Sequence, residues 1–121
     1  MSVLPFATAC EDSVRDAHWM HCRNSLGIAR LLVQEGRPRA LVRTSCLMAV
    51  ESACRAALDQ GGLRFDGDVR RAMACLAAPR DLWSGAGADT PGAELLAEAE
   101  RTVGWIAAYL RGEAPERSWG F

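Results

Sequence analysis

The amino-acid sequence predicts an all-α fold, a single antiparallel bundle of about four helices spanning residues 1–121. The chain has 121 residues, half of them hydrophobic, which is enough for one domain with a core. Alanine occurs 21 times, whereas valine and isoleucine together occur nine times. Helices favour alanine and strands favour β-branched residues. No stretch alternates apolar and polar residues over the length of a strand, so helices are expected throughout.

The first two helices are bounded by capping and breaking residues. The first is expected over residues 13–34, because Ser13 is a suitable N-cap and Gly36 follows the last apolar residues. The second is expected over residues 38–60, because proline fits the first turn of a helix and a Gly-Gly pair follows. Only a short turn separates the two segments, so we expect them to pack antiparallel.

One short and one long helix follow. The short helix is expected over residues 68–78, before a proline. Residues 83–91 contain Ser, Gly, Asp, Thr and Pro, a composition that predicts a loop. The last helix is expected over residues 91–110, with Asp89 or Thr90 as its cap. The terminal segments, residues 1–12 and 113–121, are expected to be irregular.

The first helix carries polar residues on its predicted apolar face. At 100° per residue, that face is centred on Val14, Ile28 and Leu32. The polar residues on the same face are His18, His21 and Ser25. A buried imidazole needs hydrogen-bond partners. Three interpretations are open: two histidines satisfied within the core, a polar ligand pocket, or a metal site shared by histidines at positions i and i+3.

The second helix adds two charged candidates for the polar pocket. Its predicted buried stripe comprises Val42, Cys46, Val50, Ala53, Cys54 and Ala57. Arg43 lies on the apolar side near the start of this helix. Glu51 and Arg55 are spaced i, i+4, which is typical of a modest surface pair. The functional alternative is a Glu51 carboxylate that faces a pocket or a dimer partner.

The last helix carries candidates for an interface. Its predicted buried stripe comprises Leu95, Leu96, Ala99, Val103, Ile106 and Leu110. Trp105 and Tyr109 lie off this stripe, and Arg101 lies on an edge of mostly small residues. An aromatic pair in this position indicates either a partner surface or cover by the preceding loop or the C-terminal tail.

Charge and composition limit the classes of function. The net charge is −1, which argues against sequence-independent binding to nucleic acid or to an acidic membrane. All 14 basic residues are arginine, so chemistry that needs a lysine nucleophile is excluded. No segment is apolar over the length of a membrane span, and the N-terminus has no secretory pattern. We expect a cytoplasmic protein without a cofactor.

The five cysteines are predicted to be structural. They are Cys10, Cys22, Cys46, Cys54 and Cys75. Their number is odd and the sequence has no CxxC pair, so neither a disulfide framework nor a zinc ribbon is indicated. Cys46 and Cys54 fall in the apolar stripe of the second helix, where a free thiol packs as a small apolar group.

A family resemblance rests on the first two helices and the segments that follow. The matching segments are residues 29–36, residues 38–58 with Ala49-Val50-Glu51 and Arg55-Ala56-Ala57-Leu58, the stretch Phe65-Asp66-Gly67-Asp68-Val69, and residues 93–110. These segments resemble HEPN domains, the small helical bundles of prokaryotes. In that family a helix that ends near glycine is followed by a turn and a helix with the pattern A-x-E-x-x-x-[KR]-A-L.

The resemblance implies several functions. Members of the family commonly dimerise, and some bind nucleotides or act as partners of small nucleotidyltransferases. Others are metal-independent ribonucleases that carry R-x(4–6)-H in a late helix, where histidine serves acid–base chemistry and arginine stabilises phosphate charge. This chain has no histidine after position 21 and so lacks the late-helix motif.

We therefore predict a non-catalytic, homodimeric binding module, with a nucleotide or a nucleotidyltransferase-type protein as a further partner. One alternative is a ribonuclease that uses His21 with Arg15 or Arg23. Another alternative is a metal-binding bundle in which Cys22 or Glu51 completes a site with the two histidines.

Overall fold

The computed structural model is all-helical, which confirms the predicted fold class. It describes residues 4–84 and 89–112, with side chains from residue 16 onward. The helices are α1 (Leu4–Gln34), α2 (Arg39–Gln60), α3 (Val69–Cys75) and α4 (Gly92–Leu110). The described residues contain no strand. Helices α1 and α4 both pack on α2, and α3 contacts α2 from a third side.

Helix α2 is the centre of the bundle. Its predicted stripe is buried throughout, and four further residues are buried as well: Ala49, Ser52, Ala56 and Leu58. Burial on so many sides follows from its composition, because alanine, serine and cysteine let neighbouring backbones approach closely. The start of α4 shows how close that approach is. A methyl group added at Gly92 would lie 3.3 Å from a side-chain carbon of Val42.

The ends of the helices follow local signals with one exception. Helix α2 begins after Pro38 and ends at Gly61, as predicted. Asp68 caps α3, because its side chain accepts a hydrogen bond from the backbone N–H of Arg71. The predicted cap of α4 was wrong. Pro91 occupies the N-cap position, and no side chain caps this helix.

Helix α1 begins earlier than predicted, and a different side of the helix is buried from the one predicted. It is already helical at Leu4, because proline at position 5 is tolerated in a first turn and no helix breaker follows it for twenty residues. The irregular segment predicted over residues 1–12 is therefore wrong from position 4 onward. Residues 113–121 lie outside the described part of the chain.

The buried face of α1 comprises Cys22, Ser25, Leu26 and Ala29. It lies about 80° around the helix from the predicted face. Ile28, one of the three residues on which the prediction was centred, is 52% exposed. Leu32 is half-buried against the core, and the side chain of Val14 lies outside the described part.

The cysteines of the core are free thiols, as predicted. Cys22, Cys46 and Cys54 are buried, and Cys75 is exposed at the end of α3. Burial raises the pKa of Cys22 and of Cys46 to about 11, and that of Cys54 to about 12. These three thiols are therefore neutral at pH 7 and unreactive as nucleophiles. The side chain of Cys10 is not described.

Candidate functional site

The five residues predicted to form one polar pocket lie in separate places. His18 is half-buried, and its Nε2 lies 3.2 Å from Oδ2 of Asp59 at the end of α2. His21 is exposed, so the expectation that both histidines face the bundle is wrong for this residue. Ser25 is buried on the inner face of α1. Arg43 and Glu51 are half-buried on α2, where they line a groove beside α3.

This separation bears on the two alternatives, the ribonuclease and the metal-binding bundle. His21 and Arg23 are two residues apart on one helix, so their side chains leave the axis about 160° apart and diverge within one chain. The side chain of Arg15 is not described. No group of three or more His, Cys, Asp or Glu side chains within the described residues is arranged to hold a metal ion. Cys22 is in the core, whereas His21 is at the surface.

Arg43 and Glu51 contribute to an open groove between α2 and α3, with a volume of about 520 Å³. Its other charged residues come from the start of α3: Asp66, Asp68, Arg70 and Arg71. Arg55 is one helical turn beyond Glu51, and its guanidinium lies over the ring of Phe65, 5.0 Å from the centroid. The predicted i, i+4 neighbour of Glu51 is thus engaged with an aromatic ring.

Two of the three acidic residues of this groove, Asp66 and Asp68, are paired locally with Arg71. The backbone N–H of Asp68 donates to Oδ1 of Asp66 at 2.9 Å, and Arg71 donates to its other oxygen. These hydrogen bonds hold the pKa of Asp66 below its ordinary value. Arg71 also lies 3.8 Å from Asp68. Carboxylates held in this way are poor general bases, and the groove is suited to binding polar groups.

The far wall of the groove is a segment that sequence reasoning missed. Trp83 is buried, and its backbone N–H donates to Oγ1 of Thr102 at 2.8 Å. The backbone N–H of Ser84 donates to Oε1 of Glu98 at 3.0 Å. The signal was Thr102, a polar residue in the middle of the apolar stripe of α4, whose buried hydroxyl requires a partner.

The predicted interface on α4 is only partly exposed. Trp105 and Tyr109 stack with ring centroids 5.6 Å apart, and both are half-buried against the core. The indole N–H of Trp105 is buried and has no hydrogen-bond partner among the described residues. Arg101 is exposed. The aromatic pair therefore belongs largely to the bundle itself.

A larger exposed apolar surface lies on α1 and α2, which we call the outer apolar face. Its members are Met20 (63% exposed), Ile28 (52%), Leu31 (56%), Leu41 (43%) and Met48 (42%), with Gly27 among them. On α1, residues 20, 27, 28 and 31 lie within about 100° of one another.

The contact between His18 and Asp59 sets the register of the two antiparallel helices. Ten residues further along α1 and ten back along α2, Ile28 lies level with Ala49, one residue from Met48. Met48 and Leu41 lie on the same side of α2 as Asp59, to within about 20°. Ile28 and Met48 are therefore expected to be neighbours, whereas Met20 and Leu31 lie on the side of α1 that faces away from the core, with the exposed Asn24 between Met20 and Ile28.

Comparison of the chain with family models, with curated proteins and with solved structures found no match. The resemblance to HEPN domains therefore remains a prediction. Among the described residues, no helix combines the length and the apolarity required to cross a membrane.

Proposed function

We propose that the protein is a homodimeric binding module, and that its dimer interface is the outer apolar face. The observation that carries this proposal is that α1 and α2 expose five large apolar side chains, each 42% to 63% exposed, three of them within about 100° of one another on α1. Together they supply on the order of 300 Å² of apolar surface, a size at which patches on soluble proteins are often functional. A twofold interface of standard size would place this patch at its centre.

Charge supports a second copy of the chain as the occupant. His21 and Ile28 lie seven residues apart on one side of α1, and Glu35 follows seven residues later, directly after the last residue of this helix. A twofold axis at Ile28 brings His21 of each copy opposite Glu35 of the partner copy. An isologous interface requires this kind of self-complementarity.

Gly27 supports the close approach of a partner helix to α1 beside Ile28. It lies in the interior of α1, where glycine is about 1 kcal/mol less favourable than alanine. A methyl group added there meets no other atom within 4 Å, so packing within one chain does not require glycine. A partner helix that crosses α1 at this point would provide the reason.

The narrower functions implied by the resemblance belong to the same proposal. A nucleotide or a nucleotidyltransferase-type protein would be a further partner of the dimer, and the open groove beside Arg43 and Glu51 is available to it. A cytoplasmic, bacterial setting is likewise part of what we infer from the sequence.

The test is the molar mass in solution, measured by light scattering over a dilution series. The wild-type chain is expected to be a dimer at high concentration, and Ile28→Arg is expected to be a folded monomer, because the interface would bury an unpaired charge. The matched control is Ala97→Arg on the exposed face of α4, which should remain dimeric. A wild-type chain that is monomeric at every concentration would contradict the proposal.

A charge exchange tests the arrangement itself. His21→Glu places two acidic residues against each other across the proposed axis and should weaken the dimer. Adding Glu35→His restores opposite partners and should recover it. If both variants dimerise as the wild type does, the twofold axis does not pass through Ile28.

A further inference from the structure

A second cavity, separate from the outer apolar face, lies beneath α3. Its volume is about 570 Å³, within the range of small-molecule sites. One wall is formed by Arg70, Met73 and Ala74 on one face of α3 and by Ala77 just beyond the end of this helix. The opposite wall is the returning chain at 78–80 and 82–84. We call this cavity the α3 pocket.

The second wall is fixed in position. At the end of α3 the backbone N–H of Ala78 donates to the carbonyl of Met73 at 3.0 Å, and Ala77 takes a left-handed conformation with φ of 57°. The chain therefore reverses sharply at this point. At its other end the wall is held on α4 by the hydrogen bond from Trp83 to Thr102. The pocket thus lies between a helix and an anchored segment.

The pocket is lined by both apolar and polar groups, and two arginines lie at its rim. Met73 and Trp83 are buried, and Leu82 is half-buried. Alanine at positions 74, 77 and 78 leaves the space that larger side chains would fill. Arg70 and Arg80 are exposed, and neither forms an ion pair with a described residue. No acidic residue in the described part of the chain lines the pocket.

We propose that the α3 pocket binds a small amphipathic anion, a carboxylate or phosphate carried on an apolar body. The helical part of this wall, from Arg70 to Ala74, is about 6 Å long, and Ala77 extends the wall beyond the end of the helix. The volume of about 570 Å³ can hold an aliphatic chain of roughly eight to ten carbons or a flat ring system. A guanidinium at the rim can hold the anionic group by two parallel hydrogen bonds while the apolar body lies along Met73 and Leu82.

The test uses decanoate as the probe, titrated into the full chain and followed by amide chemical shifts in NMR. Decanoate is expected to shift the signals of residues 70–84. Arg70→Ala and Arg80→Ala should each weaken binding by about tenfold, the loss expected for one charge-assisted contact. Ala74→Leu should block binding by filling the pocket. The matched controls, Arg101→Ala and Ala97→Leu on the exposed face of α4, should bind as the wild type does.

Two further ligands define the chemistry. Uncharged 1-decanol should bind at least about tenfold more weakly than decanoate, because it lacks the anion. Adenosine monophosphate tests whether the anionic group that the pocket binds belongs to a nucleotide or to an apolar carboxylate. If it shifts the same residues with the same dependence on Arg70 and Arg80, the natural ligand is a nucleotide, and if only decanoate does so it is an apolar carboxylate.

Three outcomes would overturn the inference: equal binding of decanol, unchanged binding by both arginine variants, or shifts confined to the outer apolar face. The arginine variants are substitutions of exposed residues and test the pocket even if Ala74→Leu fails to fold. The pocket shares no residue with the proposed dimer interface. Light scattering on the same samples therefore separates a failure of the pocket from a failure of the dimer.

Discussion

Helices α1 and α4 pack against the same central helix, yet they present different surfaces to solvent. The outward residues of α4 are small or charged: Ala93, Ala97, Arg101 and Gly104 are all exposed. The outward residues of α1 include Met20, Ile28 and Leu31, which are more than half exposed. Helix α4 thus has one apolar stripe, which the bundle buries, whereas α1 has two.

The difference indicates where interactions between molecules are to be sought. The large apolar residues that the core takes from α4, Leu95, Val103 and Ile106, are buried, and its outer face has little left to bury. On α1 the core takes Cys22, Leu26 and Ala29, and a second apolar stripe remains in water. An exposed apolar stripe of this kind is where an interaction site is expected in a soluble protein.

The largest predicted effect contrasts a buried leucine of α4 with an exposed leucine of α1. Leu95 is fully buried, and Leu95→Ala should lower the free energy of unfolding by about 3 kcal/mol, because it removes apolar contacts and leaves a cavity. Leu31 is 56% exposed, and Leu31→Ala should cost about 0.5 kcal/mol in the monomer. Urea unfolding at low protein concentration measures both values.

Light scattering should show the reverse order of effects, because Leu31→Ala rather than Leu95→Ala alters the proposed dimer interface. Leu31→Ala should shift the dimer equilibrium toward monomer, since it trims the proposed interface. A Leu31→Ala chain that is destabilised as strongly as Leu95→Ala would mean that α1 buries its outer stripe within one chain.

The same contrast explains why the buried residues of α4 could be predicted from the sequence and those of α1 could not. Helix α4 has a single stripe, so periodicity identified Leu95, Ala99, Val103 and Ile106 as buried. On α1 the two apolar stripes are of similar strength, and the small residues Cys22 and Ala29 that pack against α2 weigh little on a hydrophobicity scale. The pattern therefore favoured Ile28. Only the shape of the neighbouring helix decides which stripe is buried.

The candidate sites were harder to predict than the helices. Arg43 and Glu51 were identified on α2, but apart from Leu47 on the same helix, the residues that share their groove are 15 or more positions away in sequence. The anchoring of Trp83 by Thr102 joins positions 19 apart through a loop with no periodic signal. Helix boundaries are set by local chemistry, whereas these sites depend on which distant segments meet.

A second prediction concerns the inner face of α1 at alkaline pH. Burial raises the pKa of Cys22 from 9.0 to about 11, so the folded chain keeps this proton at a pH at which the unfolded chain loses it. The stabilisation is complete below pH 9 and is lost as the pH rises toward 11. Each such thiol should contribute a loss of about 1.4 kcal/mol per pH unit in this window.

Variants assign this loss to the contact between α1 and α2. Cys22→Ala should make the decline in unfolding free energy between pH 9 and 10 less steep, as followed by urea titrations. Cys75→Ser is the control, because Cys75 is exposed and should leave the slope unchanged. An identical slope in Cys22→Ala would show that this thiol is not protected in solution.

The smallest predicted effect compares the two interior glycines of these helices, Gly27 on α1 and Gly104 on α4. A methyl group at either position meets no atom within 4 Å. In a chain kept monomeric by Ile28→Arg, each Gly→Ala change should therefore raise the free energy of unfolding by about 1 kcal/mol through helix propensity alone. Thermal or urea unfolding measures this gain.

In the otherwise wild-type chain, the Gly27→Ala and Gly104→Ala variants should have different dissociation constants for the dimer. Gly27→Ala places a methyl group where the partner helix is proposed to pass, so its dissociation constant should rise even though the monomer becomes more stable. Gly104→Ala adds the same methyl group to a surface that is not part of the interface and should leave the dissociation constant unchanged. Equal dimer affinities would mean that the backbone of α1 does not approach a partner at Gly27. Weaker dimers for Gly104→Ala would instead move the interface to α4, beside Arg101.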